Sequence, residues 1–218
     1  MHHHVPNKIH KTSEKKTALD KENAKLSIYE KLIGWIIQPK TMRFHTRQLA
    51  FFCALAAVCV GIQLAPRPPN IEATSLITFF VGVVFGNVAG GLFGALVMFV
   101  NGFLSPWGFA GLVLPFQIVG MGIVGAAGGV FGRYGVAGST NRVVLESAIF
   151  GSFLTLIYDL ITNMGVALIS NVPIVLALIA GVVFSIVHIV SNTLLFGLAF
   201  APLMKTFKMF VELRRVAD

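Results

Sequence analysis

Charge is what the middle of this sequence lacks. Between residues 48 and 204 the only Lys and Arg are Arg67, Arg133 and Arg142. Ten of the seventeen basic residues precede residue 48, and four follow residue 204. Only 12% of the chain is charged, against 56% hydrophobic, and the mean hydropathy is +0.80. That balance excludes a soluble globular domain. Segments of about ten residues with alternating hydrophobicity are also missing, which argues against a transmembrane barrel. The net charge of +8 does not mark a nucleic-acid surface, because the chain's ends carry it. Basic ends of this kind are retained in the cytoplasm against anionic lipid.

Chemical motifs are scarce as well. There is no HExxH, no zinc-spaced cysteine pair and no Walker lysine, so neither a metal nor a cofactor is expected. The cysteines, Cys53 and Cys59, fall six apart in one apolar run and on different helix faces, which disfavours a disulfide. No cleavable signal peptide is expected, since the first apolar run begins near residue 47 after a polar tail. His2, His3 and His4 fit a tag remnant or native sequence equally and are set aside.

What is present is a series of long apolar runs, centred on Asn101 to Arg133, NGFLSPWGFAGLVLPFQIVGMGIVGAAGGVFGR. A short Gly/Pro/Trp loop leads into about twenty apolar and small residues, Leu112 to Phe131, long enough for a membrane span. Its glycines permit close helix approach in a membrane. Gln117, the one strongly polar side chain of the run, lies near the loop and Trp107. That placement points to a ligand pocket at one membrane face.

The pattern predicts an all-α polytopic membrane protein, a compact bundle of six spans. Residues 1–45 form a basic cytoplasmic tail, with an interfacial amphipathic helix at 26–38 that sets Ile28, Leu32 and Ile36 on one face and Trp35 at headgroup depth. A helix docked on a partner protein fits the same segment. The spans are expected at about 46–64, 75–88, 91–104, 112–131, 143–165 and 173–203, followed by a basic tail over 205–218. Residues 75–104 carry no charge but would make a helix of about 45 Å, too long for a core of about 30 Å. A turn near Asn87–Gly91 is therefore expected. With six spans and both termini cytoplasmic, only Arg67 lies outside, in accord with the positive-inside rule.

This topology collects polar residues at the outer side: Asn70 and Glu72 in the first loop, Asn101 and Trp107 in the second, and Gln117 below it. Tyr158, Asp159 and Asn163 sit on the fifth span, about 25 Å beyond Arg142. His188 and Asn192, also i,i+4, sit on the sixth. An ionisable group inside a span is costly and faces the bundle or a cavity, so Asp159 is the strongest pointer. It fits a substrate-binding carboxylate, and equally a tie to His188 or Asn192. Trp107 fits stacking or an interfacial belt, His188 a ligand contact or packing, and Arg67 with Glu72 a solvated loop pair. On the first span, Ala50, Ala54, Ala57 and Gly61 form a small-residue stripe, suited to internal packing or to another membrane subunit.

RPPNIEATSLITFFVGVVFGNVAGGLFGALVMFVNGFL, SPWGFAGLVLPFQIVGMGIVGAAGGVFGR, YDLITNMG and VHIVSNTLLFGLAFAPL carry a further signal. In pattern and order, over about residues 43–204, the chain resembles the substrate-binding S components of energy-coupling factor (ECF) transporters. The resemblance implies a six-helix protein of the prokaryotic plasma membrane, capturing a vitamin-like micronutrient at the outer face. Its pocket would be built from outer helix ends and the first, third and fifth loops. Ala50, Ala54 and Ala57 would contact a transmembrane coupling subunit. ATP would be used by two ATPase subunits and not by this chain, which is not expected to be an enzyme. The basic N-terminal tail departs from that pattern. An independent permease relaying protons through Asp159 and His188 stands as the alternative. A less favoured one is an intramembrane enzyme drawing on Ser152, Asp159 and His188.

Overall fold

The computed structural model describes residues 46–66, 68, 70–105, 108–134 and 139–217. The amphipathic helix expected at 26–38, together with Arg67 and Trp107, lies outside them. Every element among the described residues is helical: α1 (Thr46–Leu64), α2 (Thr74–Phe85), α3 (Asn87–Leu104), a 3-10 turn at Gly111–Val113, α4 (Leu114–Tyr134), α5 (Thr140–Ser170) and α6 (Ile174–Ala217). Four stretches are long and apolar enough to cross a membrane: Asn87–Leu104, Gly111–Tyr134, Thr140–Ser170 and Ile174–Met209. Val175 and Val183 are each 68% exposed and Leu198 is 74% exposed. Such an outer surface would aggregate in water and is at home in hydrocarbon.

The uncharged stretch over 75–104 is divided, as its length requires, but at Gly86 and not within 87–91. Gly86 has φ +96°, a left-handed backbone that only glycine adopts without strain. Its N–H still bonds to the Gly82 carbonyl, and its own carbonyl accepts from Gly90. Gly90 serves a different purpose. A methyl group there would overlap the Gly125 carbonyl, and one at Gly125 would overlap Gly90. Backbone thus meets backbone between α3 and α4, the close approach that small residues make possible in membranes. The resulting α2 has 12 residues, a rise of about 18 Å. It is shorter than the expected 75–88 span and too short to cross a core of about 30 Å alone. Thr74, Phe79, Phe80 and Val81 are all buried, so α2 is enclosed by α3, α4 and α6.

The final helix also differs from expectation. It continues through Pro202 to Ala217 where a tail was expected after Leu203. Packing explains the extension: Phe207 meets Phe51 at 5.9 Å and Phe80 at 5.6 Å between ring centroids, and Met204 is buried. Lys205 and Lys208 therefore ride on a helix.

α5 and α6 pair along their length. One half of the bundle is aromatic. Phe79 touches Phe131, Phe196 and Phe200 at 5.2–5.6 Å. The other half is polar.

Candidate functional site

A cavity of about 540 Å³ opens in the polar half. It lies between the loop before α2, the C-terminal end of α3, the turn before α4, and facing stretches of α5 and α6. The 31-residue α5 carries Asp159 two-thirds of the way along, far from Arg142 at its start. The chain then reverses at Asn171, which adopts the left-handed conformation (φ 52°) that asparagine tolerates. Pro173 follows, and α6 returns beside α5. That return brings His188 to Asp159.

His188 Nδ1 lies 2.8 Å from Asp159 Oδ1. A carboxylate can only accept, so Nδ1 donates. The other nitrogen, Nε2, is 4.0 Å from Glu72 Oε1, beyond hydrogen-bond reach. Glu72 is buried, not solvated as a loop pair with Arg67 would be. It accepts from Gln63 and from Ser75 Oγ at 3.4 Å. Gln63 also donates to Thr74 Oγ1 at 3.0 Å. The Tyr158 ring stands edge-on to His188 at 5.8 Å, and its hydroxyl reaches Met98 sulfur at 3.9 Å.

The loop before α2 is clasped to α6. Asn70 Nδ2 donates to the Phe184 carbonyl at 3.0 Å, and Ser191 Oγ donates to the Asn70 carbonyl at 2.9 Å. Asn163 Nδ2 donates to the Asp159 carbonyl at 2.8 Å, and Gly181 leaves room for its side chain. Asn101 is 5% exposed, and both atoms of its amide lack a protein partner. The same holds for Asp159 Oδ2 and His188 Nε2. Buried polar atoms are almost always satisfied. Three such side chains line one cavity, while Thr78 Oγ1, Glu146 Oε2 and Asn192 Oδ1 are unpartnered away from it.

Of the residues singled out in the sequence, Asn70, Glu72, Asn101, Gln117, Tyr158, Asp159, Asn163 and His188 line the cavity. Asn192 does not. It is fully buried behind the site and donates to Thr155 Oγ1 at 2.9 Å, so it ties α6 to α5 without meeting Asp159. Ser152 is likewise remote from the cavity, sharing a 2.6 Å hydrogen bond with Thr193. The Ser152–Asp159–His188 arrangement is therefore not assembled. Sequence reading missed Gln63, Thr162, Phe109 and Phe184. A lone amide at the end of an apolar run could have flagged Gln63, but nothing distinguishes Phe184 from its apolar neighbours. Among the described residues, no three His, Cys, Asp or Glu side chains are grouped to hold a metal.

The small-residue stripe on α1 faces outward: Ala50, Ala54, Ala57 and Gly61 are all exposed. Cys53 is exposed and Cys59 buried, on different faces of the same helix. Comparison with protein-family models, curated proteins and solved structures yields no match for this chain.

Proposed function

We propose that this chain is the membrane-embedded substrate-binding subunit of an ECF-type transporter. It captures a small organic micronutrient at the outer face and delivers it inward when docked to a coupling subunit powered by ATPases. The observation that carries the reading is the cavity of about 540 Å³, into which Asn101, Asp159 and His188 bring unpartnered buried polar atoms. Its volume suits a small molecule and not a macromolecule.

Three features support the remainder. The cavity lies in the part of α5 remote from Arg142, so a bundle oriented with its basic loop and ends inside opens the cavity toward the outside. The pocket and the outward-facing stripe of α1 are separate surfaces, as a protein that binds substrate and docks a coupling subunit requires. The resemblance in pattern and order over residues 43–204 points the same way. In this reading all six helices belong to the membrane bundle, with both ends cytoplasmic.

The test is chemical. Protein purified in mild detergent is extracted with acidified organic solvent, and the extract is analysed by mass spectrometry. One small organic molecule at near-equimolar yield is expected. No retained molecule, or one converted to product on incubation, would count against a binding subunit.

A further inference from the structure

One buried amide in the cavity wall is bonded at neither end. Resting on the reading above that the cavity holds a small molecule, we infer that this molecule presents a hydrogen-bond donor and an acceptor side by side on one flat edge, and that Asn101 pairs with that edge. Lactams, primary carboxamides and amino-substituted nitrogen heterocycles have such an edge.

Asn101 differs from the other buried groups that have an unmet atom. Asp159, His188, Glu146 and Asn192 each keep a hydrogen bond at their second polar atom. Thr78 has a single hydroxyl and stands away from the cavity. At Asn101 both Oδ1 and Nδ2 are unpartnered, and the residue is 5% exposed. Leaving a buried amide unbonded is costly, and a leucine would fill a similar volume without that cost. The backbone beside Asn101 is held from two directions. The Gly102 carbonyl accepts from the Ala110 N–H at 2.9 Å, and Leu114 packs where a Cβ on Gly102 would stand. The last turn of α3 and the turn before α4 are thereby locked together, so the amide sits in a fixed frame in the cavity wall.

An amide edge carries one acceptor and one donor pointing the same way. Its complement is one donor beside one acceptor. Turning the amide over exchanges the two atoms and leaves that complement the same. A carboxylate brings two acceptors and an ammonium only donors, and each would leave one Asn101 atom unmet. The pairing is between neutral groups. Met98 lies one turn earlier on the same face of α3 and also lines the cavity. The Tyr158 hydroxyl reaches its sulfur at 3.9 Å. Thioether and phenol ring together suit an unsaturated ring as the body that carries the edge.

The probes are 2-pyridone, its isomer 4-pyridone, and 1-methyl-2-pyridone. The first has donor and acceptor adjacent, the second has them at opposite ends of the ring, and the third lacks the donor. Each is titrated against the full-length protein in detergent, washed until mass spectrometry finds no co-purified molecule. Saturation-transfer NMR of the probe is the readout. 2-Pyridone should bind with a Kd of about 1 mM, the range for a fragment of this size. The other two should be at least about tenfold weaker, because a site that hydrogen-bonds its ligand rejects analogues that leave its polar groups unpaired. Asn101→Leu should bring 2-pyridone to within about twofold of 4-pyridone. Equal binding of the two isomers would overturn the inference while leaving a binding subunit intact. So would no saturable binding of 2-pyridone at about tenfold above that Kd, or unchanged selectivity in a folded Asn101→Leu protein. Should that variant not fold, the comparison of isomers on the unsubstituted protein decides. Failure of the functional reading shows elsewhere, as the absence of any co-purified molecule in the first extract.

Discussion

At the residue scale, Asp159 holds the site together, and its two oxygens have different occupations. Oδ1 holds His188, while Oδ2 has no protein partner. Asp159→Asn keeps the shape and one acceptor but removes the charge. If Oδ2 accepts from substrate, affinity should fall by about 1.5–3 kcal/mol, the range for hydrogen bonds to a charged group. That is roughly ten- to hundredfold in Kd. Calorimetric titration and thermal unfolding of the same purified variant separate this from a purely structural role. The latter would lower the melting temperature and leave affinity within about threefold. Asp159 and His188 were legible in the sequence because a polar residue inside a long apolar run must be accommodated. Glu72 was harder to read. In a Pro-rich loop with Arg67 it fitted both a site residue and a solvated loop pair, and only the tertiary approach of Gln63 and His188 reveals its burial. Asn192 was misleading for the converse reason. The i,i+4 spacing from His188 puts both on one face, but Thr155, one turn before Asp159, takes the Asn192 bond.

At the element scale, α1 and the paired helices α3 and α4 use small residues for opposite ends. Gly90 and Gly125 are buried and bring backbones together. Ala50, Ala54 and Ala57 face outward, and nothing lies within 4 Å of where a Cβ on Gly61 would stand. Replacing both Ala50 and Ala54 with Trp should therefore abolish uptake and leave ligand affinity of the isolated protein within about twofold, since bulk prevents close helix approach without touching the cavity. Parallel uptake and binding assays decide it. If both fall together, the stripe serves internal packing. Four of the expected runs are helices long and apolar enough to cross a membrane, legible because a bilayer core demands a minimum hydrophobic length. Their ends were less so. The Gly86 break needs a positive φ that composition cannot assign among Gly86, Gly90 and Gly91, and the extension of α6 depends on Phe207 reaching Phe51 and Phe80.

At the scale of the whole molecule, the bundle has two halves with different chemistry. The aromatic half around Phe79, Phe196 and Phe200 is tightly buried. The polar half carries the cavity, bordered by the loop that Asn70 clasps to α6. The Asp159–His188–Glu72 chain does offer titratable groups, which is the observation favouring an independent proton-coupled permease. The two accounts differ in what the chain does alone. The most direct measurement is accumulation of the co-purified ligand in labelled form by proteoliposomes. Vesicles holding this chain by itself should be compared with vesicles that also hold the coupling and ATPase subunits and enclosed ATP. Binding without accumulation by the chain alone, and ATP-dependent accumulation by the full assembly, is the predicted result. Accumulation by the chain alone under an imposed proton gradient would contradict it.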